Sequence, residues 1–375
     1  MKKFSILEEY ASRIKNLLIN NPSFYVKIFI YGYLAFIITT LVPIYPYFVI
    51  NGGVWYDWSN STTTNDDIEH YIYMAYGRYH KAIAPFKYRV LIPFLWGLLL
   101  PLVGLNTSIL FWNFIFLLGS SLLMDRYLSS LNFSRFYKLI GVLLMNVSFP
   151  ILQVAYTPNL DIAFLFFVLL FMIGSVEQKP LLVGISAILG VLTKETILLV
   201  FPIYLIYNYK DCKDFFIRIF KSKLISDKKI LISLFLMFLA FIEFLWIRQF
   251  SFNVNYGYRI EYLEFPDKYY TRWLSLDGSI FLLRMIFFTF TILWIAPLGY
   301  LIHKWKRDKW LPLLIYSIFG LFIITLISGR IPRVGFFFIV VILPLFLQFL
   351  RDFEKGNSNK SLGINLQGRD KNPKF

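Results

Sequence analysis

Residues 89–105 read RVLIPFLWGLLLPLVGL, and whether this apolar run crosses a bilayer sets the orientation of everything that follows it. As a helix it would be about 24 Å long at ~1.5 Å per residue, short of a hydrocarbon core of roughly 30 Å. Pro93 and Pro101 interrupt it and Gly104 ends it. Asn106, Thr107 and Ser108 then offer capping side chains to the next apolar run. Kept on one side, 89–105 is a partly embedded or in-plane element.

The rest of the chain agrees with that reading. The clear apolar segments are 26–50, 108–124, 139–156, 161–176, 180–193, 196–209, 229–247, 278–303, 311–328 and 334–350. Without a crossing at 89–105, the basic segments 1–25, 125–138, 208–229, 303–309 and 351–375 all fall on the side of the N-terminus. With a crossing, all but the first are sent to the opposite side, against the positive-inside bias. The expectation is an all-α, polytopic transmembrane helical bundle of about ten spans with both termini cytoplasmic. Residues 1–350 form a single transmembrane domain. Phe4, Leu7, Tyr10, Ile14 and Leu17 recur at helical spacing within an amphipathic cytoplasmic segment, 1–25. Segments 51–88 and 248–277 are the long external loops, the first carrying a short helix, and the basic tail 351–375 is cytoplasmic and disordered.

Composition excludes the soluble alternatives. Of 375 residues 58% are hydrophobic and 16% charged, whereas a soluble domain carries about 25% charged residues. The net charge of +16 sits in short loops between apolar runs, with no nucleic-acid motif, so no nucleic-acid partner is expected. The single cysteine, Cys212, rules out an internal disulfide.

Polar residues with chemical potential gather on the external side. Thr64-Asn65-Asp66-Asp67-Ile68-Glu69-His70 has the look of a helix start, and that helix is expected to run to about Ala82 with Ile68, Ile72, Ala75 and Tyr79 on its apolar side. His70 stands four residues from Asp66 and three from Asp67, so all share a face. Paired carboxylates beside a histidine suit a general base or a metal, and they equally suit a solvated acidic first turn. Lys87 and Arg89 lie at the rim of the 89–105 element. Tyr156-Thr157-Pro158-Asn159-Leu160-Asp161 joins two spans, and Thr193-Lys194-Glu195-Thr196 breaks an apolar hairpin. Gly329-Arg330-Ile331-Pro332-Arg333 puts two arginines outside, against the inside bias, and the arginine fork matches phosphate oxygens.

This order of motifs resembles the GT-C superfamily of membrane glycosyltransferases. It runs from an acidic pair in the first external loop to a Pro-aromatic-x-x-Arg-x-Leu-x-Pro run, then an external Asp after a Pro, a Lys-Glu turn and a late external Arg. The resemblance covers about residues 26–350 by topology, through short motifs. It implies a sugar donor linked to a polyprenyl phosphate and an acceptor glycan, lipid or protein. The first-loop acid would be catalytic base or metal ligand, a role for Asp66 or Asp67, with Asp57 nearer the first span. The second-loop acid would be Asp161. Substrate contacts would fall on His70, Arg89, Tyr156, Asn159, Lys194, Glu195, Arg330 and Arg333. The resemblance leaves the metal unknown, with Mg²⁺ or Mn²⁺ as the ions that carboxylates and phosphate favour. The expected place is the plasma (inner) membrane, among membrane lipids.

Two other functions share parts of this pattern. A polysaccharide polymerase or ligase would use the same lipid-linked donor. A lipid or sugar flippase would need ionisable residues near the bilayer midplane. The candidates inside spans, Glu243 and Arg284, lie within about two turns of the external helix ends instead.

Overall fold

The computed structural model describes residues 22–42, 66–83, 86–155, 157–220, 228–249, 275–276, 280, 293, 312–320 and 336–361. Among the described residues every regular element is helical. In chain order these include α1 (Pro22–Phe36, continued by a π turn, Ile37–Leu41), α2 (Asp66–Ala75), α3 (Leu91–Ser130), α4 (Arg135–Asn146) and α5 (Phe149–Val154). Then follow α6 (Asp161–Val176), α7 (Pro180–Thr193), a 3₁₀ turn (Glu195–Val200), α8 (Phe201–Tyr207), α9 (Tyr209–Phe220), α10 (Lys228–Gln249) and α11 (Ile339–Ser361).

Three helices, Ser23–Leu41, Leu91–Ser130 and Lys228–Arg248, are long and apolar enough to cross a membrane. Shorter apolar helices cover Asp161–Val176, Pro180–Thr193 and Glu195–Tyr207. The outward faces confirm the apolar character. Phe29 and Tyr33 on α1, and Phe235, Phe238, Ile242 and Trp246 on α10, are exposed, a surface that water would disfavour and acyl chains accept. α6 is apolar on every side and almost wholly buried, from Asp161 to Ser175, as a central helix must be.

α3 is two arms rather than one rod. Gly104 has φ 75 and ψ 167, a region that only glycine enters without strain. The Ser108 hydroxyl donates to the Trp96 carbonyl at 2.8 Å, whereas twelve residues of straight helix would separate them by about 18 Å. The chain therefore doubles back at Gly104. Residues 91–103 therefore do not continue residues 105–130 in one line.

Polar contacts assign the helix ends to two opposite ends of the bundle. At one, Lys27 pairs with Asp125 at 2.6 Å, and Arg126 pairs with Glu177 at 2.8 Å. The Tyr137 hydroxyl donates to Glu354 at 2.5 Å, and Gln178 donates to Asp211 at 2.8 Å. At the other, Arg89, Asp161, Lys194, Glu195 and Arg248 meet. α6, α7 and the 3₁₀–α8 segment thus run between the two ends in alternating directions.

Three details differ from the sequence reading. α2 stops at Ala75 instead of Ala82, because Gly77 (φ 73) closes a Schellman cap. The Arg78 N–H donates to Tyr73 O at 2.8 Å and the Gly77 N–H to Met74 O at 3.0 Å. Its buried face is Ile68, His70, Tyr71, Met74 and Ala75, with Ile72 and Tyr79 only partly covered. The run 139–156 is broken at Val147 and Ser148 between α4 and α5, where Pro150 suits the first turn of a new helix. α11 continues to Ser361, so the polar tail begins as helix.

Glu177 lies in the turn between α6 and α7. Hydrogen bonds from Arg126, and then from Lys179 and Ser130, outweigh partial burial and hold its carboxyl at about 2, below the ordinary 4.5. A depressed folded pKa means that Glu177 stabilises the fold fully above pH 4.5. That contribution should fade as pH falls from there toward about 2. Comparing unfolding of wild type and Glu177→Gln across that window should show the variant losing less stability on acidification. Parallel curves would remove Glu177 from the account.

Candidate functional site

The site is organised by one turn. α7 ends at Thr193, whose hydroxyl bonds back to Leu189 O at 2.8 Å. Lys194 is then extended, with φ −162 and ψ 121. Extended backbone sends consecutive side chains to opposite sides. Lys194 and Glu195 therefore reach different helices.

Lys194 Nζ donates to Asp161 Oδ1 at 2.6 Å. Their side chains are only 6% and 1% exposed. Asp161 is the first residue of α6, where the helix dipole favours a negative charge. The ammonium also lies 5.4 Å from the Phe164 ring centroid. Glu195 receives a two-pronged bond from Arg89, Nε to Oε2 at 2.9 Å and Nη2 to Oε1 at 2.7 Å, the strongest geometry available to this pair. Arg89 spends a further N–H on the Tyr71 hydroxyl of α2, at 2.6 Å.

Phe86 completes the connection to α2. His70 stacks on it at 5.1 Å, Tyr71 meets it edge-on at 5.7 Å, and the Arg89 guanidinium lies 5.4 Å from its centroid. Arg248, near the end of α10, is held between aromatic faces, 4.5 Å from Phe244 and 5.6 Å from Tyr88. Its Nη2 is 3.9 Å from Glu195 Oε1, and its buried Nε has no hydrogen-bond partner. Of these cations, Arg248 has the most hydrogen-bonding capacity left.

Asn113 fixes the level of this turn within the bundle. Its Nδ2 donates to Ala155 O and Thr157 O, each at 3.0 Å. Asn159 Nδ2 bonds Thr157 Oγ1 at 2.5 Å, leaving a buried Oδ1 without a partner. Nine residues separate Asn113 from Gly104, so the tip of the α3 hairpin rises about 14 Å above this level. Arg89, Asp161, Lys194 and Glu195 thus sit at the foot of a helical hairpin, recessed from its tip.

Of the residues singled out by sequence, the structure brings Arg89, Asp161, Lys194 and Glu195 together, with His70 on the adjoining helix and Asn159 in the turn before α6. Asp66 and Asp67 open α2 by their backbone. Their side chains, and Asp57, Tyr156, Arg284, Arg330 and Arg333, lie outside the described residues. Among the described residues no three His, Cys, Asp or Glu groups converge as a metal site. The contacts recast two expectations. Lys194 and Arg89, read as substrate contacts, each already hold a carboxylate, and Asp161 is enclosed with its lysine. Sequence reasoning passed over Tyr71, Tyr88 and Arg248. Arg248 had a readable signal, a cation at the far end of a long apolar run, the same anomaly that singled out Arg330 and Arg333.

In class, this is an all-helical protein with helices suited to crossing a membrane. The chain matches no family model, no curated protein and no solved structure.

The Asp161–Lys194 pair makes a specific demand on stability. Asp161→Asn removes the carboxylate charge that the buried Lys194 ammonium bonds and should cost about 3–5 kcal/mol. Asp161→Leu combined with Lys194→Met removes both charges and should recover most of that loss. Denaturant unfolding in detergent or nanodiscs measures both. A double variant as unstable as the single one would show that the pair is not an isolated ionic contact.

Proposed function

We propose that the chain is a membrane glycosyltransferase of the GT-C kind, moving a sugar from a polyprenyl-phosphate-linked donor to an acceptor hydroxyl. The observation that carries this reading is the recessed cluster of charges at one end of the bundle, tied to the acidic helix α2 through Tyr71. α6 and α7 have 16 and 14 residues, or about 24 and 21 Å, short of a core of roughly 30 Å. Helices this short favour a site recessed from the membrane surface, within reach of the phosphate of a lipid-linked donor. The opposite end carries Lys27, Arg126, Lys138, Lys179 and Arg351, which supports a cytoplasmic assignment for it and an external one for the site.

In this mechanism a carboxylate of α2, Asp66 or Asp67, accepts the proton of the acceptor hydroxyl as its oxygen attacks the anomeric carbon. The bond from that carbon to the donor phosphate breaks, and the polyprenyl phosphate leaves with the bonding electrons. Arg248, with unspent donors, stabilises the developing phosphate charge, a role that the resemblance also gives to Arg330 and Arg333. Asp161, Lys194, Glu195 and Arg89 act as positioning residues that fix the helix ends around the substrate. Were Mg²⁺ or Mn²⁺ bound, a carboxylate of α2 would hold it, and the ion would supply positive charge to the leaving phosphate.

Asp66 and Asp67 are adjacent, so on α2 they point about 100° apart and cannot serve alike. Transfer from a panel of undecaprenyl-phosphate sugars, measured in membranes with and without Mg²⁺ or Mn²⁺, should fall roughly 10²–10⁴-fold for Asn at one position. Asn at the other should cost about 1 kcal/mol of stability, as for a lost cap. Arg248→Gln should also lower transfer at unchanged protein level. Near-normal transfer by both single Asn variants and the double variant would remove α2 from the chemistry.

A further inference from the structure

At the end of the bundle opposite the site, α9 presents three distinct sectors rather than two. With successive residues about 100° apart, Asp211, Cys212 and Phe215 form the sector turned toward the bundle. Cys212 and Phe215 are buried, and Asp211 accepts a hydrogen bond from Gln178 at 2.8 Å. A second sector holds Tyr209, Phe216 and Ile217, which are 63%, 46% and 38% exposed. The third carries Lys210 and Asp214, both exposed, and exposed Lys213 lies within the apolar sector, between Tyr209 and Ile217. A helix lying on a protein surface in water needs only an inward apolar sector and an outward polar one. The second, outward apolar sector calls for another apolar phase.

The neighbouring helices locate that phase. α8 ends at Tyr207, immediately before α9. α10 opens with exposed Lys228 and Lys229 and continues as one of the helices long and apolar enough to cross a membrane. Paired lysines at the start of such a helix mark the headgroup level. α9 is therefore placed where membrane helices emerge, beside lipid. We propose that α9 is a leaflet-embedded anchor, inserting Tyr209, Phe216 and Ile217 at the acyl boundary and binding anionic phospholipid headgroups through Lys210 and Lys213.

Charge favours anionic over zwitterionic lipid. Asp211 is turned inward and hydrogen-bonded, so among the described charges of α9 the outward ones are two lysines against Asp214 alone. The sequence then continues with Arg218, Lys221 and Lys223. Exposed basic residues next to an embedded apolar face are drawn to anionic surfaces. α9 joins the 3₁₀–α8 segment that begins with Glu195 to α10, which carries Arg248, so the anchor fixes two helices whose far ends build the candidate site. This inference stands whether or not the chain transfers sugar.

The full chain in nanodiscs tests it. A nitroxide at Phe216→Cys in a Cys212→Ser background should be several-fold more accessible to oxygen than to a water-soluble nickel chelate. A nitroxide at Asp214→Cys should show the reverse. Adding phosphatidylglycerol to phosphatidylcholine discs should drive the label at 216 deeper, and Lys210→Gln with Lys213→Gln should abolish that response. Phe216→Trp with native Cys212, quenched by lipids brominated near the carbonyl, gives the same reading if the serine background fails to fold. A label at 216 open to the nickel chelate overturns the anchor. Protection from both probes overturns it too, in favour of a protein partner or second copy. Equal depth in both lipid mixtures overturns the anionic preference.

Discussion

A charge removed from water must meet its opposite, and in this fold that requirement falls on two adjacent residues. Lys194 and Glu195 follow one another at a break between apolar helices, and neither can remain buried alone. The extended backbone of Lys194 sends the two side chains apart, so their partners must come from different elements. Asp161 arrives at the head of α6, Arg89 from the foot of the α3 hairpin, and Arg248 from the far end of α10. Tyr71 then ties α2 to Arg89. Apolar packing in a bilayer offers little to choose between neighbouring helices, since lipid tails are as apolar as leucine. Paired charges supply the register that packing leaves open.

The same constraint shapes the site. Because α6 and α7 are short, the ion pairs sit below the tip of the α3 hairpin, beside outward faces suited to lipid. Fully enclosed, Asp161 and Lys194 have their charges matched and serve as framework. Arg248, loosely placed against Glu195 and stacked between rings, keeps a buried Nε without a hydrogen-bond partner.

Much of this was legible in the sequence because the bilayer writes simple rules. The prolines and terminal glycine of 89–105 marked a break in the apolar run, and the structure reverses direction at Gly104. The positions of basic residues anticipated which helix ends lie together. Arg89, Asp161, Lys194 and Glu195 were each singled out, yet their pairing was hidden, since contacts over 33 and 106 residues leave no local trace. Spacing suggested a longer α2, because the left-handed cap at Gly77 outweighs apolar periodicity that continues to Tyr79. Lys194 and Arg89 each bond a carboxylate in the fold, contacts that only three-dimensional proximity reveals.

The claim on which the account rests is that Glu195 and Arg89 lock the helix ends as a coupled pair. A double-mutant cycle of Arg89→Gln and Glu195→Gln, read by unfolding in nanodiscs, measures that coupling directly. The account predicts an interaction of at least about 1.5 kcal/mol, as for close charge pairs removed from water. Losses that add to within about 0.5 kcal/mol, as for independent sites, would contradict it.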